Sequence, residues 1–175
     1  TAPLPQTIVD VYNNTLVCNG WRRGQAEPGR GVSVGLNAKG NIYNNIMMNN
    51  YQGLEIFKDA DTNAADLHYG YNLFYASQDT YLDTTQGGNL QINIRGNFYP
   101  SDGVGKPQST DLISTKVGDK DPMFKSFDGK VATKNGASTS NDYHLQTGSA
   151  ALGKGNPTYN NDIGAYTSDG KGNKH

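Results

Sequence analysis

Apolar residues in this chain fall in short runs: "TIVDVY", "TLVC", "GVSVGL", "GNIYNNIMM", "GLEIF", "YNLFYA" and "LQINIRGNFY". Each is bounded by glycine, asparagine or aspartate, the residues of turns. No stretch sustains the i, i+3, i+4 apolar spacing of a helix with caps at its ends. The pattern predicts an all-β chain of short strands. One run departs from strand chemistry. In "IYNNIMMNN", Ile42 to Asn50, two asparagines interrupt the most apolar stretch and two more close it, although asparagine is a poor strand former.

That interruption recurs. Asn14 precedes "TLV", Asn45 precedes "IMM", Asn72 precedes "LFY" and Asn97 precedes "FYP", at intervals of 31, 27 and 25 positions. An inexact repeat of roughly 20 to 30 residues built from short strands predicts a solenoid, with loops of variable length on one side. Asparagine tolerates the left-handed backbone of a tight bend better than other non-glycine residues. Stacked pass on pass, its amides can bond into a ladder. The competing reading is a sandwich with four coincidental asparagine turns. After Pro100 the chain turns polar and irregular, and is expected to wrap the repeats, anchored by Phe124 and Phe127. "DIGAY", Asp162 to Tyr166, reads as a short strand before a frayed tail.

The 175 residues suit one domain. Charged residues make up 18% and the net charge is −1, which gives no electrostatic reason to expect nucleic acid as a partner. No apolar run is long enough to span a bilayer. Cys18, the only cysteine, cannot form an internal disulfide and reads as a buried, inert thiol. The chain begins at Thr1, as expected of a mature or clipped product.

"VYNNTLVCNGWRRGQAEPGRG", "KGNIYNNIMMNNYQGLEI" and the closing "DPMF…DYHLQTGSAALGKGN…DIGAY" resemble the secreted bacterial β-helix proteins of the pectate-lyase-like superfamily. The resemblance covers most of the chain. It implies a right-handed parallel β-helix of roughly four to five rungs, with repeat rungs over 7–100 and a C-terminal closure over 101–175. It also implies a secreted, periplasmic or cell-surface location. Members of that superfamily usually carry further rungs and a cap on the N-terminal side. The chain is therefore expected to be the C-terminal part of a longer protein, or to pair with another chain at its open end. The superfamily holds lyases, hydrolases, epimerases and adhesins, so the resemblance speaks to fold more than to activity.

Three stretches carry candidate chemistry. In "GWRRGQAEPGRG", Trp21 can stack on a sugar face, and Arg22, Arg23 and Arg30 can grip a uronate carboxylate; the alternative is that these arginines pair with Glu27 or Asp10. In "EIFKDADTNAAD", Asp59, Asp61 and Asn63 have the alternating oxygens of a calcium loop. Ala64 and Gly70 break the EF-hand pattern there. The resemblance implies that aspartates could hold Ca2+ while a basic residue takes the uronate proton, a role open to Lys58. In "DLHYGYNLFY", His68 with Tyr69 and Tyr71 could line a groove and supply a general acid or base. The resemblance implies an outward position for His144 on the closing strand. Tyr12, Tyr43 and Tyr71 read as packing between rungs, and the sequon at Asn13 as part of the repeat. No P-loop, dinucleotide glycine pattern, CxxC, HExxH or GxSxG is present.

The expected function is binding or processing of polysaccharide, with uronate lyase chemistry as the specific enzymatic form. The rival is a non-catalytic binding, adhesive or structural module. Charged groups clustered on one sheet face would favour the first; a smooth asparagine, threonine and serine face would favour the second.

Overall fold

The computed structural model describes residues 6–19, 30–34, 38–50, 52–57, 67–77, 89–95, 107–128 and 140–166. These residues form strands, turns and bends, with no helix among them. The strands are β1 (Thr7–Tyr12), β2 (Thr15–Val17), β3 (Arg30–Val34), β4 (Ala38–Tyr43), β5 (Ile46–Met48), β6 (Gln52–Phe57), β7 (Leu67–Gly70), β8 (Leu73–Tyr75), β9 (Asn89–Arg95), β10 (Leu112–Ile113), β11 (Phe124–Ser126) and β12 (Asp142–Leu145). Three sheets are parallel, with orders β1-β4-β7, β2-β5-β8-β10 and β3-β6-β9; β11 and β12 pair antiparallel. Each parallel sheet thus collects one strand from each successive pass of the chain.

The asparagines explain how one pass turns into the next strand. The run "GNIYNNIMM" is two strands, β4 and β5, broken at Asn44 and Asn45. The first of each asparagine pair takes the bend: Asn13 and Asn44 both have φ of 57°, and Tyr71 has 54° at the equivalent place. The second asparagine bonds to the pass above. Asn45 Oδ1 accepts from Asn14 N at 3.1 Å and Asn14 Nδ2 at 3.0 Å. Asn72 Oδ1 does the same for Asn45, at 3.0 Å to each nitrogen. The remaining Nδ2 hydrogens reach the backbone carbonyls of Val11 and Ile42. A second ladder follows β2 and β5, where Asn50 Oδ1 accepts from Asn19 N and Nδ2 at 2.9 and 3.0 Å.

The fourth place in the first ladder belongs to Asp111, not Asn97. Asp111 Oδ1 accepts from Asn72 N at 2.9 Å. Asn97 lies outside the described residues, and the strand before it, β9, pairs with β6 in a different sheet. Asn93 to Arg95 therefore belong with β3 and β6, not beside β1, β4 and β7.

The sheet β2-β5-β8-β10 is buried on both faces. Its apolar runs "IMM" and "LFY" are buried at every position, as expected of a parallel strand covered on two sides. Met47 and Phe74 face an inner core with Val32, Val34, Ile42, Leu54 and Leu67. Ile46, Met48, Leu73 and Tyr75 face an outer core with Phe124, Leu145, Ala151 and Ile163. The C-terminal segment thus builds half of the outer core. Phe124 is buried there with Phe127 against it, which is the anchoring expected of that pair. Asp162 to Tyr166 makes bends and a single bridge at Tyr166, not a strand. Its amides bond to the bends instead: Gly164 N donates to Asn44 O at 2.8 Å, and Ala165 N to Thr15 Oγ1 at 3.1 Å. Gly164 has φ of 102°, and a Cβ there would lie 2.6 Å from Ile46 Cδ1, so a side chain is excluded on both counts. Cys18 is a buried thiol in no disulfide and sits in a left-handed bend, with φ of 59°.

Candidate functional site

Alternation along β1, β4 and β7 sends Val9, Val11, Ile42, Leu67 and Tyr69 to the core. The opposite face is left to Ile8, Asp10 and Tyr12, to Lys39, Asn41 and Tyr43, and to His68. Parallel register then lines up Asp10, Asn41 and His68 as one column across three strands. Asp10 and His68 are exposed and Asn41 half-buried. Asn41 Nδ2 donates to Asp10 Oδ1 at 2.8 Å. Lys39 lies exposed on the same face.

A wall of tyrosines borders this column. Tyr159 sits between Tyr12, with ring centroids 4.8 Å apart, and Tyr43, at 5.2 Å and 20° from parallel. Tyr71 extends the row at 6.4 Å from Tyr43. The turn carrying Tyr159 is fixed by the bend asparagine: Asn156 N donates to Asn44 Oδ1 at 2.7 Å, and Asn44 Nδ2 returns a bond to Asn160 O at 3.0 Å. Burial pushes the Tyr159 hydroxyl up, with further contributions from Tyr43 and from the charge of Asp10, so it remains a neutral donor over the ordinary pH range.

The polar cluster on β3 and β6 has a different character. Arg30 Nε lies 2.5 Å from Glu55 Oε2, and its Nη2 donates to Oε1 at 2.8 Å. Ser33 Oγ adds a bond to Oε2 at 3.1 Å. The Glu55 side chain is 0% exposed. Arg30 is therefore paired with Glu55; Glu27 lies outside the described residues. The one sequence signal of Glu55 is a lone charge inside the apolar run "GLEIF", which does not by itself mark a site.

Of the other candidates, His68 takes its place in the exposed column. Lys58, Asp59, Asp61, Asn63, Trp21, Arg22 and Arg23 lie outside the described residues. Among the described residues no group of three or more His, Cys, Asp or Glu could hold a metal ion, and no helix is long and apolar enough to cross a membrane. His144, on β12, bonds through Nδ1 to Asp142 and packs its ring 4.4 Å from that of Tyr166. The bonds from His144 hold the Asp142 carboxyl below the usual range. No family model, curated protein or solved structure matches this chain.

Proposed function

We propose that this chain is part of a right-handed parallel β-helix in a secreted or surface protein, and that it binds polysaccharide along the exposed face of β1, β4 and β7. The helical reading is supported by the three parallel sheets, each taking one strand per pass, and by ladder intervals of 31 and 27 residues. The functional reading rests on one observation: Asp10, Asn41 and His68 stand in register on an open face beside the Tyr12, Tyr159 and Tyr43 rings. Successive passes set such groups about 4.8 Å apart, giving a linear row of donors and acceptors. Aromatic rings offer the apolar surface against which a sugar ring packs.

Uronate lyase chemistry is the second reading, favoured by the exposed imidazole of His68 on the same face as Lys39. Arg30 does not serve it, because Glu55 already neutralises that guanidinium.

The test is a panel of uronate and neutral polysaccharides, with and without calcium. Binding is followed by affinity electrophoresis and lyase activity by the absorbance of the unsaturated product. Binding that His68→Ala and Asn41→Ala weaken supports the proposal. A rise in absorbance that His68→Ala abolishes supports the lyase form. No retardation on any polymer, by a protein shown to be folded, would overturn both.

A further inference from the structure

A cavity of about 380 Å³ lies between the outer face of β5 and β8 and the β11–β12 hairpin, lined by Met48, Tyr75, Ser77, Asp121, Met123, Phe124, Phe127 and Gln146. It is separate from the face carrying Asp10 and His68, since Met48 and Tyr75 belong to another sheet. Its volume is that of a small-molecule site. Its apolar walls are aromatic and thioether groups, with Ser77 and Gln146 as neutral polar lining, and are stiffened by edge-on contacts of Phe124 with Phe127 and Tyr143 at 6.2 and 5.2 Å. Its charged group is the half-buried carboxylate of Asp121.

That carboxylate is held in place by a backbone donor that leaves its charge unneutralised. Asp121 Oδ1 accepts from Met123 N at 2.7 Å, and burial together with the neighbouring Asp121 charge pushes the Tyr75 hydroxyl up. Among the described residues no cation pairs with it. Met123 is fixed in a left-handed backbone conformation, φ 46°, unusual for a long side chain, and stands partly exposed at the lining. A fixed anion beside electron-rich ring faces and soft sulfur is the chemistry that selects an organic cation.

We propose that this cavity binds a small alkyl- or arylammonium ion, with its charge against Asp121 and its apolar part against Phe124, Phe127, Met48 and Met123. Methionine-methyl NMR tests it, because the chain has three methionines and Met47 faces the inner core. Phenethylammonium chloride is titrated into the full chain, with 2-phenylethanol as the neutral probe. The expected result is saturable shifts of the Met48 and Met123 methyls with Met47 unmoved. Asp121→Asn should weaken binding about tenfold or more. Tyr75→Phe, which removes the hydroxyl beside the carboxylate and keeps the ring, should preserve or tighten it. Absence of shifts at millimolar amine would overturn the proposal, as would equal binding of 2-phenylethanol or an unchanged affinity in a folded Asp121→Asn protein.

Discussion

Asn45 donates from Nδ2 to Asn72 Oδ1 at 3.0 Å, and both side chains are fully buried. Asn45 is a two-way relay, since its own Oδ1 serves Asn14 and its Nδ2 also reaches Val11 O. Asn45→Ala would strand donors on one side and acceptors on the other. The expected loss is about 3 kcal/mol, from buried groups left without partners. Asn45→Asp keeps the acceptor but loses both donated bonds and buries a charge, so at neutral pH it should be no milder. Urea unfolding checks both; an Asn45→Asp protein as stable as the parent would rule out the ladder as a major source of stability.

The end of the ladder obeys a different demand. Asp111 only accepts, from Asn72 N through Oδ1 and from Gln108 N through Oδ2, so a carboxylate can replace the amide there. Burial nevertheless raises its carboxyl above the ordinary value, against the lowering effect of those bonds. A raised folded-state pKa means that its contribution is full below the ordinary carboxylate range and is lost as pH rises through the folded value. Asp111→Asn removes that loss but gives up the bond from Gln108 N. The stability of the parent relative to Asp111→Asn should therefore fall as pH rises from about 3 to 7. Urea midpoints measured across that interval decide it, and a difference that grows with pH would contradict the assignment.

The same contrast explains what the sequence could and could not reveal. Asn14, Asn45 and Asn72 were readable because each stands directly before an apolar run. Asp111 was hidden because the last position needs acceptors alone and because 39 residues separate it from Asn72. β7 escaped as a strand since "LHYG" buries Leu67 and exposes His68, too short an alternation to register. β11 resembled loop because Lys125 and Ser126 are exposed and only Phe124 is buried, whereas its partner β12 is the closing strand expected to carry His144. Arg30 stood out as a candidate ligand, but nothing local to it points 25 residues ahead to Glu55. The exposed column of Asp10, Asn41 and His68 is a product of register between strands, which no single stretch displays.

Glu55 and Arg30 should behave as a unit. Glu55 is fully buried while Arg30 is 19% exposed, so removing the arginine takes the paired cation from a buried anion, whereas removing the glutamate leaves a cation with a path to water. Arg30→Met should cost about 3 kcal/mol and Glu55→Leu less. The double variant should return to within about 1 kcal/mol of the parent, because apolar side chains of similar size fill the space without desolvated charge. A double-mutant cycle by urea unfolding measures the coupling; additive losses would show that the two side chains act independently.

Packing and binding can be separated on the face of β1, β4 and β7. Tyr159 is half-buried between two rings and rests on the turn held by Asn44, so Tyr159→Ala should cost about 2 kcal/mol and lower polysaccharide affinity as well. Tyr159→Phe keeps the stacked ring and should preserve stability. His68 is exposed, and His68→Ala should change stability by no more than about 0.5 kcal/mol. Its effect on polysaccharide retardation would then come from a lost contact and not from a loosened fold. If Tyr159→Ala weakens binding while His68→Ala leaves it untouched, the tyrosine row is the binding surface and the polar column is incidental. If both weaken it with His68→Ala fully stable, the in-register column contacts the polymer directly.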